Sequence, residues 1–348
     1  MEFAKVHFLS FILISIVMGL ITYNGITMST TVLRDIPDNG DNEFADFYPR
    51  PQAVPGVEQS LELWQEQTSR LERLQDICKQ LNRTQTYTPP KGYTMRLLVD
   101  DTNHVLFGYI PKVGCTTWKG VFGRIRRAHG GNRPDFSKLS QFNDTEREKR
   151  LREYKKVLFV RDPVIRLLSA YLSKFTNLRA LQKTWENMYG FDILKRYRPG
   201  SEDLLKNNHN LPRSERTFMN VTLTEFIRFV TDRGDQIKLH EISDHWLPQH
   251  IVSHVCEIGF DFIGKYENLA VEAPFVLNWL GLTSVAGFPE VHASKASSFI
   301  ADEYAHVPLI YIQALQKYYM TDFQLFGYSS TGTVLKIANQ LFDIDHID

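Results

Sequence analysis

The fold is decided by a stretch that reads Val105-Leu-Phe-Gly-Tyr-Ile110, Pro111-Lys-Val-Gly-Cys-Thr-Thr117 and Trp118-Lys-Gly-Val-Phe-Gly-Arg-Ile125. The first part is short, apolar and rich in β-forming residues, which predicts a buried strand. The last part can start a helix, and the middle part supplies a glycine, Lys112 and two adjacent hydroxyls. Because backbone N–H groups at the start of a helix attract anions, this order predicts a phosphate cradle. The spacing of a Walker A loop is absent.

A second segment is organised in the same way. Val157-Leu-Phe-Val160 predicts another buried strand, and it leads into Arg161-Asp-Pro163. Pro163 suits the first turn of a helix. Arg161 would then lie at the carboxyl end of a strand, where α/β sheets bind ligands, and Ser169 would lie two turns along the helix. We expect the two strands to be neighbours that share one anion site.

Composition excludes several classes of protein. The chain has 348 residues, 43% of them hydrophobic, and its 40 Lys and Arg balance its 40 Asp and Glu. A wholly disordered chain, a collagen and a polytopic membrane protein are therefore excluded, and the net charge gives no reason to expect nucleic acid as a partner. Apolar spacing predicts an amphipathic helix over 58–84. It also predicts a helix from 308 to 320 that packs against the sheet through Leu309, Ile312, Leu315 and Tyr319.

The amino-terminal run Val6–Ile21 is apolar except for one histidine and two serines. A bilayer core needs about 20 apolar residues, so the run is long enough for a short membrane anchor. A lysine precedes it and no basic residue follows closely, which keeps the amino end cytoplasmic. A cleaved signal peptide and a buried core helix are the alternatives. We expect a cytoplasmic tail over 1–5, a signal anchor over 6–22 and a stem over 23–57.

Three sequons begin at Asn82, Asn143 and Asn220. If the residues after the anchor are lumenal, these asparagines are expected to be glycosylation acceptors.

Together the two cradle segments resemble the phosphosulfate-binding loop and the 3′-phosphate-binding segment of Golgi carbohydrate sulfotransferases. The resemblance is strongest to the subgroup of chondroitin and dermatan 4-O-sulfotransferases and the HNK-1 sulfotransferase. Further marks of that subgroup follow in order and are His245-Trp-Leu-Pro-Gln249, Cys256, Tyr266-Glu267 and Asp322-Phe-Gln-Leu-Phe-Gly-Tyr328. The resemblance extends from about residue 71 to residue 328.

This resemblance implies an α/β, P-loop-like sulfotransferase fold with a mostly parallel central sheet flanked by helices. We expect a sulfotransferase domain over 85–330, with strands near 105–110, 157–160 and 261–264 at the centre of the sheet. The tail over 331–348 receives no function. The resemblance also implies a single-pass type II protein of the Golgi membrane, with its catalytic domain in the lumen.

The resemblance also implies 3′-phosphoadenosine 5′-phosphosulfate as the sulfuryl donor, with no metal required. Lys112 would be catalytic, holding the 5′-phosphosulfate, while Arg161 and Ser169 would grip the 3′-phosphate. The full set of implied donor-binding residues is Pro111, Lys112, Val113, Gly114, Cys115, Thr116, Thr117, Arg161, Asp162, Pro163 and Ser169. Lys295, in Ala293-Ser-Lys-Ala-Ser297, is expected to be a further anion contact, and a solvent-exposed lysine is the alternative.

The base that deprotonates the acceptor hydroxyl is expected to be His245, because imidazole titrates near neutral pH and the motif belongs to the subgroup. His240, Glu241 and Asp244 are close in sequence and are alternatives. A purely structural role for His245 stays equally open.

The chain departs from the family pattern at a few positions. Ser253 takes the place of the first of two cysteines that the family usually carries after the His-Trp motif, and Cys256 keeps the second. Since Ser253 cannot pair, we expect a disulfide between Cys78 and Cys256 that leaves Cys115 free; three free thiols are the alternative. Gly114 and Thr117 replace the usual alanine and asparagine, and both changes keep a small residue or a polar donor.

The acceptor is expected to be the GalNAc 4-hydroxyl of chondroitin or dermatan, and the best basic cluster to meet it is Arg124, Arg126, Arg127 and Arg133. A terminal sugar of a glycoprotein glycan is the next reading. A catalytically inactive lumenal glycan-binding relative and a P-loop kinase or NTPase are rival classes. The sequence leaves the oligomeric state open.

Overall fold

The structure is a computed structural model that describes residues 56–130, 136–176, 186–210, 219–232, 243–291 and 295–332. The expected tail, anchor and stem, Arg133, His240, Glu241 and the residues after 332 lie outside these ranges. No helix within the described ranges is long and apolar enough to cross a bilayer.

A four-stranded sheet lies at the centre of the fold. Its strands are β1 (Leu97–Asp100), β2 (Val105–Gly108), β3 (Lys155–Val160) and β4 (Phe262–Lys265), and they lie in that order across the sheet. The first pair is antiparallel and the other two pairs are parallel. Leu158 of β3 pairs with Gly108 of β2, so the two expected strands are neighbours whose carboxyl ends meet. The prediction of a mostly parallel sheet is confirmed.

The expected strand near 261–264 is present as β4, but it ends the sheet instead of lying at its centre. Its outer edge is capped by side chains, because Arg70 donates to the Ile263 carbonyl at 2.9 Å and the Lys265 N–H donates to Glu272 at 2.9 Å. Arg70 and Glu272 also form a buried ion pair. Among the described residues no further strand pairs with this edge, and these contacts satisfy two of its main-chain groups.

Helices surround the sheet. In chain order they are α1 (Val57–Gln80), α2 (Cys115–Ala128), α3 (Asp144–Glu153), α4 (Pro163–Lys174), α5 (Phe191–Tyr197), α6 (Glu202–Asn210), α7 (Leu223–Thr231), α8 (Gln249–Ser253), α9 (Val255–Ile258), α10 (Leu269–Trp279), α11 (Lys295–Ser298), α12 (Ile300–Ala305), α13 (Leu309–Tyr318) and α14 (Met320–Phe326). One turn of π-helix, Glu186–Gly190, precedes α5.

Aromatic rings fix the helices that pack directly on the sheet. Trp118 of α2 is fully buried, and its ring centroid lies 5.0 Å from that of Phe107 and 4.9 Å from that of Phe159. Phe262 of β4 packs in the same way against Phe275 of α10. Trp118 lies at the fourth position of α2, so its burial fixes the amino-terminal end of this helix against the sheet.

A second apolar core lies among helices, and α13 belongs to it. The expected helix exists but runs from Leu309 to Tyr318, and it does not pack on the sheet. Ile312, Leu315 and Tyr319 are buried in a cluster built by α4, α5, α7 and α14, whereas Leu309 is 59% exposed. Leu309 is the first residue of the helix, so it projects from the first turn beyond the packed surface.

The helix expected over 58–84 is α1, and it is tied covalently to the body of the fold. A disulfide joins its Cys78 to Cys256 of α9 with the Cα atoms 5.6 Å apart, and Cys115 is free. This is the pairing that the family resemblance implied. The bond closes a long loop, so it restricts the unfolded chain strongly.

Candidate active site

The cradle loop lies between β2 and α2 and has an unusual backbone. Lys112 and Gly114 both adopt positive φ, 70° and 66°, and Gly114 is the residue before α2. A Cβ at Gly114 would lie 3.3 Å from the ring of Tyr266. The positive φ favours glycine here and a Cβ would contact the Tyr266 ring closely, while the strained backbone of Lys112 is typical of a functional loop.

Lys112 is held against helix α4. Its Nζ donates to the Ser173 hydroxyl at 2.8 Å. Burial and the nearby charges of Lys174 and Arg161 lower the pKa of Lys112 to about 8. The ammonium is thus partly desolvated and lies near other cations, so a bound anion would stabilise its charged form.

Arg161 follows the last residue of β3, as expected, and is almost completely buried. Its guanidinium donates to the Lys112 carbonyl at 3.1 Å and lies 4.3 Å from the ring centre of Tyr266. Burial lowers the pKa of the guanidinium, while Tyr266 and Glu267 oppose that shift. The structure therefore brings the two cationic residues of the two sequence segments together.

Asp162 and Pro163 start helix α4. The Asp162 carboxylate accepts from the backbone N–H groups of Val164 and Ile165, at 2.9 and 3.0 Å, and Pro163 is the first helical residue. The Asp162 N–H donates to Glu267 at 2.9 Å. The side chain of Asp162 thus caps α4, which fixes the direction in which the helix leaves Arg161.

Arg166 is fully buried and joins three segments of the site. Its guanidinium donates to the carbonyls of Pro111, Leu247 and Asp244 at 3.0, 2.7 and 2.7 Å. It therefore connects the cradle loop, α4 and the His-Trp motif. An arginine that donates to main-chain carbonyls of separate segments holds those segments together.

His245 lies beside these cations. Its Nδ1 is 3.0 Å from the Ser243 hydroxyl and 3.4 Å from an Asp244 carboxylate oxygen. Burial, followed by the charges of Lys174 and Lys112, lowers the pKa of His245 to about 3. The imidazole is therefore neutral at physiological pH and feels the same positive field as Lys112.

Comparison with known protein families places this cationic site in a family. The family model described as Sulfotransferase family matches residues 95–329, which include the whole site. The chain belongs to the carbohydrate sulfotransferase family.

Named relatives cover most of this sulfotransferase. Carbohydrate sulfotransferase 14 of Danio rerio is 32% identical in an alignment of 278 positions that covers 75% of this chain and 71% of that protein. Carbohydrate sulfotransferase 12 of Mus musculus is 30% identical in an alignment of 306 positions that covers 78% of this chain and 70% of that protein. Carbohydrate sulfotransferase 11 of Rattus norvegicus is 27% identical over 278 residues, 75% of each chain. No solved structure gave a significant match.

The other expected donor-binding residues of the sulfotransferase fall around the same loop. Cys115, Thr116 and Thr117 form the first turn of α2, with Thr116 exposed and Thr117 half-buried. Ser169 is half-buried on α4, one turn before Ser173. Pro111 and Val113 are buried within the loop.

Lys295 begins α11, which packs against α4, the helix that follows Arg161. The structure does not describe its side chain. Its role toward the donor stays a prediction.

The expected surface features are exposed or half-buried. Asn82, Asn143 and Asn220 are all exposed, and Asn143 caps helix α3 through its side-chain oxygen. Their glycosylation stays a prediction. Of the expected basic cluster, Arg127 is exposed, Arg124 and Arg126 are half-buried, and Arg124 donates to the Gly287 carbonyl. Within the described ranges no group of three or more His, Cys, Asp or Glu could hold a metal ion.

Sequence reasoning missed the residues that support the site. Ser173, Gln249, Tyr266 and Arg166 contact the cradle loop or Arg161, and none of them was assigned a role. Tyr266 and Gln249 belong to motifs quoted for the family resemblance, which was the available signal. Ser173 lies one turn after Ser169, so helical spacing from a known site residue was the signal there.

Proposed function

We propose that this sulfotransferase moves a sulfuryl group from 3′-phosphoadenosine 5′-phosphosulfate to a hydroxyl of a sugar. The observation that carries the proposal is the concentration of cations at the carboxyl ends of β2 and β3. Burial lowers the pKa of Lys112, Arg161 and Lys174, and the charges of Lys174 and Arg161 lower the pKa of Lys112 further. Such a site gains most when it binds a ligand with several negative charges, and this donor has them.

The residues present fit that donor. Lys112 and the backbone N–H groups at the start of α2 would hold the 5′-phosphosulfate, and Arg161 and Ser169 would hold the 3′-phosphate. The donor supplies an activated sulfuryl group, and the leaving phosphate takes up negative charge as the reaction proceeds. Lys112 opposes that charge, and because its stabilisation grows toward the transition state it contributes to turnover.

His245 accepts the proton of the acceptor hydroxyl in this proposal. Burial lowers its pKa most, and the charges of Lys174 and Lys112 lower it further, to about 3, although an Asp244 carboxylate oxygen lies 3.4 Å from the ring. A bound anionic donor offsets the two ammonium charges and so moves the pKa upward, toward the range of a general base. Asp244, the described alternative, instead forms an ion pair with Arg96.

For the acceptor we propose the GalNAc 4-hydroxyl of chondroitin or dermatan, with a terminal sugar of a glycoprotein glycan as the alternative. The support is the motif resemblance, together with relatives named as carbohydrate sulfotransferases. We further propose that the enzyme is anchored in the Golgi membrane by residues 6–22 and faces the lumen.

The test is transfer of radiolabelled sulfate from the donor by the full chain, over a panel of desulfated glycosaminoglycans and glycoprotein glycans. Disaccharide analysis of the product then locates the sulfate. The proposal expects label on a sugar hydroxyl, highest with desulfated chondroitin or dermatan and at the 4-position of GalNAc. Label on no glycan would contradict the activity, whereas label on another sugar would contradict only the acceptor.

A further inference from the structure

The side-chain amide of Gln249 binds both main-chain polar groups of Arg161, its N–H and its carbonyl. Gln249 is completely buried at the start of α8. Its Oε1 accepts from the Arg161 N–H at 2.9 Å, and its Nε2 donates to the Arg161 carbonyl at 2.7 Å. A primary amide presents the same donor and acceptor as the peptide of a neighbouring strand. The side chain therefore extends the pairing of β3 by one residue beyond Val160.

The backbone of Gln249 is itself held in place by α14. Asp322 of α14 is completely buried, and its carboxylate accepts from the backbone N–H of Gln249 at 2.6 Å and of His250 at 2.9 Å. The His250 ring also lies 2.6 Å from the same carboxylate. Because α8 is anchored at its first residue, the Gln249 side chain has little freedom to move away from Arg161.

The position of Arg161 matters because its main chain belongs to neither regular element. It follows the last residue of β3 and precedes Asp162, the cap of α4. Its guanidinium must reach the Lys112 carbonyl and the face of Tyr266 at the same time. A rotation of the main chain at Arg161 would move the guanidinium, at the end of a long side chain, farther than it moves the backbone atoms.

We propose that Gln249 is a positioning residue for donor binding, whose side-chain amide holds the main chain of Arg161 and thereby directs the guanidinium toward the 3′-phosphate. This inference rests on the proposed function, because it assumes a nucleotide that carries a 3′-phosphate. It assigns a physical task to the last residue of the His-Trp-Leu-Pro-Gln motif. The task needs a donor and an acceptor on one planar group, which neither a carboxylate nor an aliphatic side chain offers.

The test compares two nucleotides that differ only in the 3′-phosphate. Calorimetry measures binding of adenosine 3′,5′-bisphosphate and of adenosine 5′-phosphate to the full chain. Gln249→Met keeps the length of the side chain and removes both hydrogen bonds. We expect it to weaken the bisphosphate about tenfold, in line with two neutral hydrogen bonds, and to leave the monophosphate nearly unchanged. In an Arg161→Ala background the same substitution should have no further effect on the bisphosphate, because Gln249 acts through Arg161.

Ser253→Ala is the matched control. Its hydroxyl donates to the Gln249 carbonyl at 2.8 Å, so the variant also loses a buried hydrogen bond of α8 but leaves both contacts to Arg161 in place. It should lower the melting temperature without changing the ratio of the two affinities. An unchanged ratio in a folded Gln249→Met protein would overturn the inference, as would an equal loss for both nucleotides.

If the methionine variant does not fold, Gln249→Glu replaces it under the same criterion. Glutamate keeps the acceptor for the Arg161 N–H and loses the donor to the Arg161 carbonyl. A wild-type chain that binds both nucleotides equally would instead refute the proposed function. That outcome is visible before any variant is measured, so the two failures are separate.

Discussion

The titration of Lys112 offers a direct test of the electrostatics of the site. Burial and the charges of Lys174 and Arg161 lower its pKa to about 8. The ammonium is then about nine-tenths charged at pH 7 and about one-tenth charged at pH 9, because one pH unit is a factor of ten. If the charged form binds and activates the donor, kcat/KM for the donor should fall about tenfold for each pH unit above 8.

The assay is initial-rate kinetics with the donor as varied substrate, since kcat/KM reports the free enzyme. Lys112→Arg should move the alkaline limb to higher pH, because guanidinium stays charged. Lys174→Met should also move it upward, because it removes a cation that lowers the pKa of Lys112. Lys155→Met is the control, since the Lys155 ammonium contacts the Trp279 carbonyl at the opposite end of β3. A donor kcat/KM that is constant to about pH 9.5, or a limb that Lys174→Met does not move, would refute the reasoning.

Three further predictions concern stability. Cys78→Ser opens a bond between residues 178 apart, and the chain-entropy model gives a loss of about 5 kcal/mol, measured by denaturant unfolding; a loss below about 1 kcal/mol would contradict it. Gly264→Ala places a Cβ 2.2 Å from the Phe159 ring and should cost about 1–3 kcal/mol, whereas Gly92→Ala, with nothing within 4 Å, should cost far less. The pKa of His245 is about 3 in the folded protein, whereas an ordinary histidine has a pKa of 6.5. As the pH falls, the unfolded chain therefore takes up a proton at this residue before the folded protein does. The free energy of unfolding should fall as the pH drops from 6.5 toward 3. In His245→Gln the melting temperature should depend less steeply on pH over this range.

The parts of the fold that follow from local chemistry could be predicted from the sequence. Proline at 163 and aspartate at 162 determine the start of α4, and the apolar runs before Pro111 and Arg161 determine two strands. Their pairing followed from the expectation that both segments serve one anion. These features depend on residues that are adjacent in the sequence, so the sequence alone is enough to predict them.

The features that escaped prediction depend on contacts between distant segments. Arg166 looked like a polar residue on a helix, yet it is buried because carbonyls from 55 to 81 residues away meet its guanidinium. The apolar spacing of α13 identifies its buried face but not the layer that the face meets, so its packing on the sheet was wrongly expected. The edge position of β4 is equally invisible, because Arg70 and Glu272, which cap it, look like surface charges in the sequence.

Support of the site by main-chain contacts has a consequence for variants. Arg161 donates to the Lys112 carbonyl, so the two cations of the cradle are mechanically linked as well as electrostatically coupled. A substitution of either residue therefore needs a check of folding before its kinetics are interpreted.

The central claim, that Arg161 holds the 3′-phosphate while Lys112 serves the transferring group, is tested most directly by donor kinetics of the two alanine variants. The measurement is kcat and donor KM for the wild-type chain, Arg161→Ala and Lys112→Ala, each shown to be folded by thermal melt. Arg161→Ala should raise the donor KM roughly 10- to 150-fold, the equivalent of a charge-assisted contact of about 1.5–3 kcal/mol, whereas Lys112→Ala should chiefly lower kcat. An unchanged donor KM in a folded Arg161→Ala protein would contradict the claim.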